Sequence, residues 1–285
     1  MPINQPHAIP AVLSIAGSDS SGGAGIQADI KTIAAHGLFA ETAITALTAQ
    51  NTTGVTAIET TTAGMVSAQI DAVFEDIRPA AVKIGMVSSI EVIEAIAQRL
   101  TYWNAENVVL DPVMVATSGA RLISTHAVTA LVTQLFPLAT VITPNMPEAE
   151  VLVKGTIATE ADQAEAARTL AARYGCAALV KGGHGTQDAC DALAIPATGD
   201  GASPSEPALH WFRHPRVETS NTHGTGCTLS SAIACGLAVG KPLEQAVSDA
   251  KAYLTGALEA GLDLGRGSGP LDHMWRLRAP QPPQR

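Results

Sequence analysis

The sequence has few basic residues and few charges of either sign. It carries 17 Lys and Arg against 26 Asp and Glu, and charged residues make up 15% of its 285 positions. The net charge of −9 and the lack of a Lys/Arg cluster argue against nucleic acid or an anionic membrane as the main partner. Any anionic substrate must therefore be held by local features, such as backbone amides and single cations.

Membrane spans, signal segments and paired cysteines are absent as well. No apolar run approaches the roughly 18 residues that would predict a membrane span. Residues 1–10 contain neither the basic patch nor the apolar stretch of a secretory signal. The four cysteines form no C-x-x-C pair and have no zinc-ligand spacing. These absences predict a cytoplasmic protein with free thiols.

Apolar residues are abundant, at 46%, which excludes disorder for the chain as a whole. Strand-like runs alternate with helical ones, which is the pattern of a parallel sheet covered by helices on both faces. Strands are predicted at 11–16, 40–47, 55–58, 81–85, 107–111, 140–144, 176–181, 192–195 and 211–217. Helices are predicted at 26–36, 66–77, 88–100, 124–136, 159–174, 225–239 and 243–258. We therefore expect a doubly wound α/β fold.

The chain shows no internal repeat and no split in composition, which favours a single domain. The stretch 196–207 is rich in Pro, Gly, Ser and Asp, and we expect it to be a surface insertion. Residues 1–10 and 271–285 are predicted to be loosely held tails, since prolines near the end prevent a helix there.

A glycine-rich loop, 17–25, joins the first strand to the first helix. Glycines allow close backbone approach to a ligand, and the helix N-terminus favours anions. A Walker A loop is excluded, because no Lys-Ser/Thr pair follows its Gly-x-x-x-x-Gly spacing. Gly23-x-Gly25-x-x-Ala28 fits a relaxed dinucleotide fingerprint, but Glu41 opens a strand where an acidic residue should close one. A tight turn without a ligand is a further possibility, although the composition favours a substrate loop.

A second glycine-rich motif, NTHGTGCT at 221–228, opens an apolar helix. Its consecutive backbone N–H groups would form an anion hole at the positive end of the helix dipole, suited to a phosphoryl group in transfer. Cys227 falls in the first helical turn, where we expect a lowered thiol pKa and a thiolate near neutral pH. The alternative is a small buried hydrophobe, which is the role we expect for Cys176, Cys190 and Cys235.

Three further predicted strands lead into polar residues. Asp111 ends one strand, Asn145 and Glu148 follow another, and Lys181 ends a third. Asn145 and Glu148 have the spacing of a capping box, which would explain them by structure alone. Ligands of open α/β sheets bind at the carboxyl ends of strands, so Asp111 and Glu148 are also candidates to hold Mg²⁺. Lys181 is a candidate for nucleotide phosphates, or else a lysine that extends to solvent.

Seven segments of the chain combine into one larger pattern. In chain order they are AGSDSSGGAGIQADIKT (16–32), ITALTAQNT (44–52), KIGM (83–86), VVLDPVM (108–114), ITPNMPEAE (142–150), KGGH (181–184) and NTHGTGCTLS (221–230). Together they resemble the hydroxymethylpyrimidine/phosphomethylpyrimidine kinases of thiamine biosynthesis, in the ribokinase-like superfamily. The resemblance implies a ribokinase-like doubly wound, mostly parallel central sheet with helices on both faces. It also implies that 4-amino-5-hydroxymethyl-2-methylpyrimidine is phosphorylated to its monophosphate and then to the diphosphate, with ATP and Mg²⁺.

The resemblance further implies site residues at the matching positions, and a homodimer. Two residues would hydrogen-bond the aminopyrimidine, Asp29 and Gln50. Four would form the walls of its pocket, Gly17, Ala24, Met86 and Val113. The anion hole and catalytic base would be Gly224, Thr225, Gly226 and Cys227. The side of Mg²⁺ and the ATP phosphates would be formed by Asp111, Asn145, Glu148 and Lys181.

The chain departs from the family in one motif. It has SDSSGG at 18–23 where the family commonly has SDPSGG, so Ser20 occupies the place of a proline. Two alternative functions stay open. One is a pyridoxal kinase of the same superfamily, whose substrate is also a hydroxymethyl heteroaromatic; the other is a pyrimidine-binding regulator without catalytic activity.

Overall fold

The computed structural model describes residues 9–114, 123–183, 189–196 and 206–278 of the chain. Its strands are β1 (Ala11–Ala16), β2 (Phe39–Ile44), β3 (Ala46–Asn51), β4 (Gly54–Thr60), β5 (Ala81–Ile84), β6 (Val108–Leu110), β7 (Val141–Ile142), β8 (Ala177–Val180), β9 (Ala189–Ile195) and β10 (Ala208–His214). Its α-helices are α1 (Gly25–Ala35), α2 (Ala63–Asp76), α3 (Ile90–Tyr102), α4 (Thr125–Ala130), α5 (Met146–Val153), α6 (Glu160–Tyr174), α7 (Thr225–Ala238) and α8 (Leu243–Glu259).

Eight strands form one sheet in the order β10-β9-β8-β7-β6-β5-β1-β2, and β3 pairs with β4 in a separate hairpin. The neighbours from β8 to β2 are parallel, whereas the β8–β9 and β9–β10 pairs are antiparallel. The predicted mostly parallel, doubly wound sheet is confirmed. After β1, the chain forms β2 on one side of β1 in the sheet and later forms β5 on the other side of β1. Ligands of open α/β sheets bind outside the carboxyl ends of strands at such a point.

The sheet has an apolar core on each of its faces. In β1, Val12 packs in one core, and Leu13 and Ile15 pack in the other, because successive side chains of a strand point to opposite faces. The core of Leu13 includes Ile96 of α3, and the core of Val12 includes Ile233 of α7. Helices therefore cover both faces, as the alternating pattern predicts.

The single strand predicted at 40–47 is wrong. The segment divides at Thr45 into β2, which joins the main sheet, and β3, which belongs to the hairpin. The backbone N–H of Thr45 donates to the Ala16 carbonyl at 3.0 Å, and its hydroxyl donates to the Met86 carbonyl at 2.9 Å. These bonds tie the chain to the ends of β1 and β5, so that the following residues leave the sheet.

The helix predicted at 124–136 changes type along its length. It is an α-helix only from Thr125 to Ala130, continues as a π-helical turn over Leu131–Leu135 and ends as a 3₁₀ turn over Phe136–Leu138. Pro137 has no backbone N–H to donate, and its ring blocks a continued α-helix. The predicted apolar face is present, since Leu131 and Leu135 are buried.

Short-range signals in the sequence predict the helix ends well. Asn145 caps α5 and Thr159 caps α6, and each forms a capping box with the residue three positions later. Gly37, which follows α1, has a φ of +75°. No helix within the described ranges is long and apolar enough to cross a bilayer.

The tail expected to be loose after Pro270 is partly packed. Leu271, Asp272 and His273 are buried, and the Tyr253 hydroxyl donates to the His273 carbonyl at 2.6 Å. The expectation therefore does not hold for 271–273. Residues 1–8, 279–285, most of the predicted insertion at 197–205, and His184 of the KGGH segment lie outside the described residues.

Candidate active site

The first glycine-rich loop folds around its own carboxylate. The Asp19 side chain accepts the backbone N–H groups of Ser21 at 2.8 Å, Gly23 at 3.1 Å and Ala24 at 2.8 Å. Burial alone would raise the pKa of Asp19, but His223, the Ser21 hydroxyl and these amides outweigh it and lower the pKa to about 2. The amides of Ser18, Ser21, Gly22, Gly23 and Ala24 are therefore satisfied within the protein.

The two glycine-rich loops are packed directly against each other. His223 Nε2 lies 2.8 Å from Asp19 Oδ2, and a methyl group at Gly23 would lie 2.5 Å from His223 Cδ2. Gly224 has a φ of +87°, and a methyl group there would overlap the Gly23 carbonyl oxygen. Both the backbone conformation and the close approach therefore require glycine at 224.

The second glycine-rich loop leaves backbone amides free. Gly224 is the N-cap of α7 and provides no side-chain cap. The Thr225 N–H donates to the Thr222 carbonyl at 3.4 Å, and the Thr228 N–H donates to the Gly224 carbonyl at 2.9 Å. Within the described ranges, the N–H groups of Gly226 and Cys227 have no acceptor. Free N–H groups at the positive end of a helix are the donors that an anion hole needs.

Cys227 lies in the first turn of α7 and is half-buried. Burial raises the pKa of its thiol, and Asp29 and Asp111 raise it further, whereas Lys83 and the Gly25 N–H lower it. The net direction is upward, so the expectation of a lowered pKa is wrong for this structure. A helix N-terminus and one ammonium do not outweigh burial and two carboxylates, and at neutral pH Cys227 is mainly a thiol. Cys176, Cys190 and Cys235 are buried, as predicted.

Asp111 and Lys181 lie beside Gly226 in the first turn of α7. Lys181 Nζ donates to Asp111 Oδ1 at 2.7 Å, and the Thr143 hydroxyl donates to the same oxygen at 2.9 Å. A methyl group at Gly226 would lie 3.0 Å from Asp111 Oδ2 and 3.4 Å from Lys181 Nζ. The structure thus brings the predicted anion hole and the predicted phosphate side together. Lys181 does not extend to solvent, since its side chain is only 15% exposed.

Glu148 completes this side of the site. Its carboxylate accepts the N–H groups of Asn145 at 2.8 Å and Met114 at 3.2 Å. Burial raises the pKa of Glu148, Lys181 opposes the rise and Asp111 adds to it, so that the pKa reaches about 7. The described residues contain no cluster of three or more metal-ligating side chains. Two carboxylates fit Mg²⁺, because this ion usually takes one or two from the protein and fills its shell with water and phosphate oxygens.

Gln50 is held at the junction of the two glycine-rich loops. Its Nε2 lies 3.3 Å from His223 Nε2, and its Oε1 accepts the Thr48 hydroxyl at 3.2 Å. The Ser20 hydroxyl donates to the Gln50 carbonyl at 2.7 Å and accepts the Gln50 N–H at 2.8 Å. A proline at position 20 could make neither contact. The departure from the family motif therefore adds two bonds between the loop and β3.

Of the four predicted wall residues, Gly17 and Ala24 belong to the first glycine-rich loop, Met86 contacts Gly17, and Val113 lies beside Asp111. A methyl group at Gly17 would lie 2.5 Å from Met86 Cε, so these two residues are in contact. Ala24 is adjacent to Gly224, and Val113 follows Asp111 and is partly exposed. The predicted pyrimidine pocket therefore borders the predicted anion hole.

Asp29 does not fit its predicted contact with a pyrimidine. Its side chain is fully buried, and its carboxylate accepts bonds from Lys83 at 2.8 and 2.9 Å, from Ser14 at 2.5 Å and from Ser231 at 2.8 Å. With no exposed surface and every oxygen occupied, the carboxylate has no contact to offer a ligand. Asp29 is instead the centre of a buried polar cluster.

Sequence reasoning missed three residues of this region. It gave no role to Asp19 or His223, although both lie within the glycine-rich motifs. It also gave none to Lys83, which is fully buried in β5. A lysine within the apolar run AVKI could have been recognised, because a buried ammonium requires a carboxylate partner.

Several known proteins are similar to this chain over most of its length. A family described as phosphomethylpyrimidine kinase matches residues 19–272. A hydroxymethylpyrimidine/phosphomethylpyrimidine kinase of Rhizobium meliloti is 52% identical over 93% of this chain and 97% of its own length. A thiamine biosynthesis bifunctional protein of Geobacter sulfurreducens is 49% identical over 93% of this chain. The chain spans about half of that relative, 52% of its length.

A solved structure supports the fold assignment independently. The ADP complex of Bacillus subtilis pyridoxal kinase superposes with a TM-score of 0.83 and 33% identity, and covers 95% of this chain and 100% of its own. The likeness extends over nearly all of the sheet and its helices, and it brings a second kinase specificity into consideration.

Proposed function

The chain belongs to the phosphomethylpyrimidine kinase family, and on that premise we propose that it phosphorylates 4-amino-5-hydroxymethyl-2-methylpyrimidine to the monophosphate and then to the diphosphate in thiamine biosynthesis. ATP is the co-substrate of both steps. One observation supports this most directly: Gly226 lies against Asp111 and Lys181, and its amide and that of Cys227 have no acceptor within the described residues. This arrangement offers donors and a cation to a phosphoryl group that carries its charge on three oxygens.

In the first step, we propose that Cys227 is the general base. The hydroxymethyl oxygen attacks the γ-phosphorus of ATP, the bond to the β-phosphate oxygen breaks, and the hydroxyl proton passes to the sulfur. General-base catalysis of this kind typically increases the reaction rate by about 10²–10⁴-fold. Because the pKa of the Cys227 thiol is raised, only a minority is ionised at pH 7, so the rate of the first step should increase with pH through the neutral range.

The second step needs a base much less. Its acceptor is a phosphate monoester whose second pKa is near 6, so the attacking oxygen is already ionised at pH 7. The free amides of Gly226 and Cys227 serve both steps together with Lys181, since each step transfers a γ-phosphoryl group from ATP. The two steps should therefore share the anion hole but differ in their use of Cys227.

Asp111 and Glu148 are the residues that would hold Mg²⁺, and Asn145 and Lys181 lie on the same side, toward the ATP phosphates. A bound Mg²⁺ would neutralise charge on the phosphates during transfer. Lys181 pairs with Asp111 in this structure, and we propose that it turns to the phosphates when the nucleotide binds.

Pyridoxal is the second candidate acceptor, because the pyridoxal kinase of Bacillus subtilis is structurally similar over nearly the whole chain. It too carries a hydroxymethyl group on a heteroaromatic ring. Measuring kcat/KM for pyridoxal and for the pyrimidine in parallel separates the two. We expect the pyrimidine to be strongly preferred, and a preference for pyridoxal would reverse the assignment.

Mass spectrometry of the products from pyrimidine and MgATP tests the proposal. We expect the monophosphate to appear first and then to be consumed as the diphosphate forms. Accumulation of the monophosphate alone would limit the enzyme to one step. Tight pyrimidine binding without consumption of ATP would instead identify a regulator.

We also propose that two copies associate through the hairpin β3–β4. This hairpin exposes Leu47 and Ile58, at 53% and 52%, and an exposed apolar surface of this kind favours association. Sedimentation velocity of the wild type and of Ile58→Lys tests this, since the variant should remain monomeric at concentrations where the wild type is dimeric. A wild type that remains monomeric would reject the dimer. The four free thiols support a reducing compartment such as the cytoplasm.

A further inference from the structure

A fully buried ion pair lies below the candidate active site. Lys83 of β5 and Asp29 of α1 both have side chains with 0% exposure, and Lys83 Nζ lies 2.8 Å from Asp29 Oδ2. Burying two charges is costly, and such a pair is weak support for stability alone, since apolar residues of similar volume often replace it without loss. Stability alone therefore does not explain why this ion pair is buried here, and a functional role should be considered.

Hydrogen bonds place this pair one helical turn from Cys227. Ser231 donates to Asp29 Oδ1 at 2.8 Å, and Ser231 follows Cys227 by four positions in α7. Residues four apart lie on the same face of a helix. Cys227 and Ser231 therefore lie on the same face of α7, and Ser231 on this face contacts the Asp29–Lys83 pair.

The two charges of the pair are not equally screened by their partners. Asp29 accepts bonds from Ser14 and Ser231 as well as from the ammonium. Lys83 donates only to Asp29 within the described residues, which leaves one of its three N–H groups without an acceptor. The carboxylate is thus the better satisfied partner, and both charges act on the Cys227 thiol, the ammonium more strongly than the carboxylate.

We infer that Lys83 is a positioning residue that stabilises the Cys227 thiolate, and that Asp29 moderates its charge. The inference rests on the proposed function, because it concerns the base of the first phosphorylation. The other charged groups that act on the thiol are Asp111, which opposes the thiolate, and Lys181, which is attracted to it. Neither is part of the buried pair, so the pair can be altered separately.

The test uses two variants that should shift the ionisation of Cys227 in opposite directions. Asp29→Asn removes the carboxylate that opposes the thiolate and leaves Asp111 as a negative charge that favours the ammonium of Lys83, and we expect the titration midpoint of Cys227 to fall by about one pH unit. The double variant Lys83→Met with Asp29→Asn removes both charges, and we expect its midpoint to lie above that of the wild type. Lys83→Met alone is avoided, because it would leave the buried Asp29 carboxylate without its ammonium partner, whereas in Asp29→Asn the ammonium keeps Asp111 as a nearby negative charge.

The readout is the rate of alkylation by iodoacetamide between pH 6 and 10, followed by mass spectrometry of the peptide that contains Cys227. At pH 7 we expect Asp29→Asn to react about tenfold faster than the wild type. No substrate is present, so the result does not depend on whether the pyrimidine is the true acceptor. If the wild type showed no kinase activity, the proposed function would be wrong. The alkylation experiment would still test the effect of Lys83 on Cys227.

The chain offers a matched control in a second buried pair. Lys251 Nζ lies 2.6 Å from Asp191 Oδ2, and both side chains are nearly as buried as the first pair. Lys251→Met with Asp191→Asn should lower the thermal midpoint of unfolding and leave the Cys227 titration unchanged. An equal shift in this control would show a general loosening and overturn the inference.

A conservative variant covers the case in which the charge variants do not fold. Ser231→Ala removes one donor from Asp29, so the carboxylate opposes the thiolate more strongly, and alkylation at pH 7 should slow about threefold. In folded variants, a common midpoint for Asp29→Asn and the double variant would overturn the inference. An unchanged alkylation rate in Ser231→Ala would overturn it too.

Discussion

The two glycine-rich loops differ in what satisfies their backbone amides. In 17–25, the carboxylate of Asp19 accepts three N–H groups of its own loop. In 221–227, no side chain caps α7, and the N–H groups of Gly226 and Cys227 remain free within the described residues. A glycine-rich turn before a helix is therefore not by itself an anion site. The presence or absence of an internal acceptor decides whether the amides can serve a ligand.

The loops also depend on each other. Gly23 and Gly224 touch, and His223 bonds to Asp19, so the closed loop is the support on which the open loop rests. The contrast thus assigns a structural role to the first loop and supports the proposed catalytic role of the second. Substitutions that act on one loop alone can separate these roles.

Gly224→Ala should have the largest effect, because it disturbs both loops at once. An added methyl group would overlap the Gly23 carbonyl, and the residue has a φ of +87°. We expect both phosphorylation steps to be lost and the free energy of unfolding to fall by about 2–5 kcal/mol. Urea unfolding and product assays measure the two effects.

Gly240→Ala is the matched control for this substitution. Gly240 has a similar φ of +78°, but an added methyl group would meet no atom within 4 Å. It should cost only about 1–2 kcal/mol and leave activity intact. If the two variants lose equal stability, the contact between the loops contributes nothing.

Cys227→Ala acts only on the open loop. We expect the first phosphorylation to slow by about 10²–10⁴-fold, because the base is lost, and the second step to slow far less. Single-turnover rates for the two acceptors measure this difference. Equal losses in both steps would reject the base role and leave Cys227 as part of the anion hole alone.

Asp19→Asn acts mainly on the closed loop and should change the pH dependence of stability. The folded-state pKa of Asp19, about 2, lies below its unfolded value of 3.8, so the ionised form stabilises the fold. This contribution, about 2 kcal/mol, is complete above pH 4 and is lost as the pH falls towards 2. Urea unfolding between pH 2 and 6 should show a flatter profile for the variant. An unchanged slope would show that the loop does not depend on this carboxylate.

Glu41→Gln is a control outside both loops, and it should change the pH dependence of stability in the opposite direction. Burial raises the pKa of Glu41 to about 7, with Asp76 adding to the rise, and Glu41 Oε2 has no partner within the described residues. Its folded-state pKa exceeds the unfolded value, so stability is lost as the pH rises from about 4.5 to 7. The glutamine variant should remove that loss and leave the acid limb of the profile unchanged.

Gln50→Leu should have the smallest effect, because it removes one amide at the edge where the loops meet. An amide offers both a donor and an acceptor to a ring nitrogen and an exocyclic amine. We expect KM for the pyrimidine to rise about tenfold, which corresponds to about 1.4 kcal/mol, and KM for ATP to stay the same. Steady-state kinetics with each substrate varied in turn checks this, and an unchanged pyrimidine KM would reject the contact.

Much of the fold follows from local patterns in the sequence. The alternation of strands and helices and the capping boxes at Asn145 and Thr159 depend on neighbouring residues, and both were predictable. The division of the chain at Thr45 was not, because it is set by bonds to carbonyls that are distant in sequence. No glycine or proline marks that position.

The candidate site shows the same limit. Its strand-end residues, such as Asp111 and Lys181, were predictable because parallel strands bring their carboxyl ends to one edge. The burial of Asp29 and the raised thiol pKa of Cys227 were not, because both depend on which charges the fold gathers around them. Position can be inferred from a motif, but protonation depends on the assembled surroundings.

The bond between His223 and Asp19 joins residues 204 positions apart. On the ribosome, at about 5–20 residues per second, His223 is made some 10–40 s after Asp19. Throughout that interval the nascent chain has its first glycine turn but lacks the helix that supplies the free amides. Kinase activity should therefore appear only after the residues from Asn221 onward, which include α7, have left the ribosome and docked.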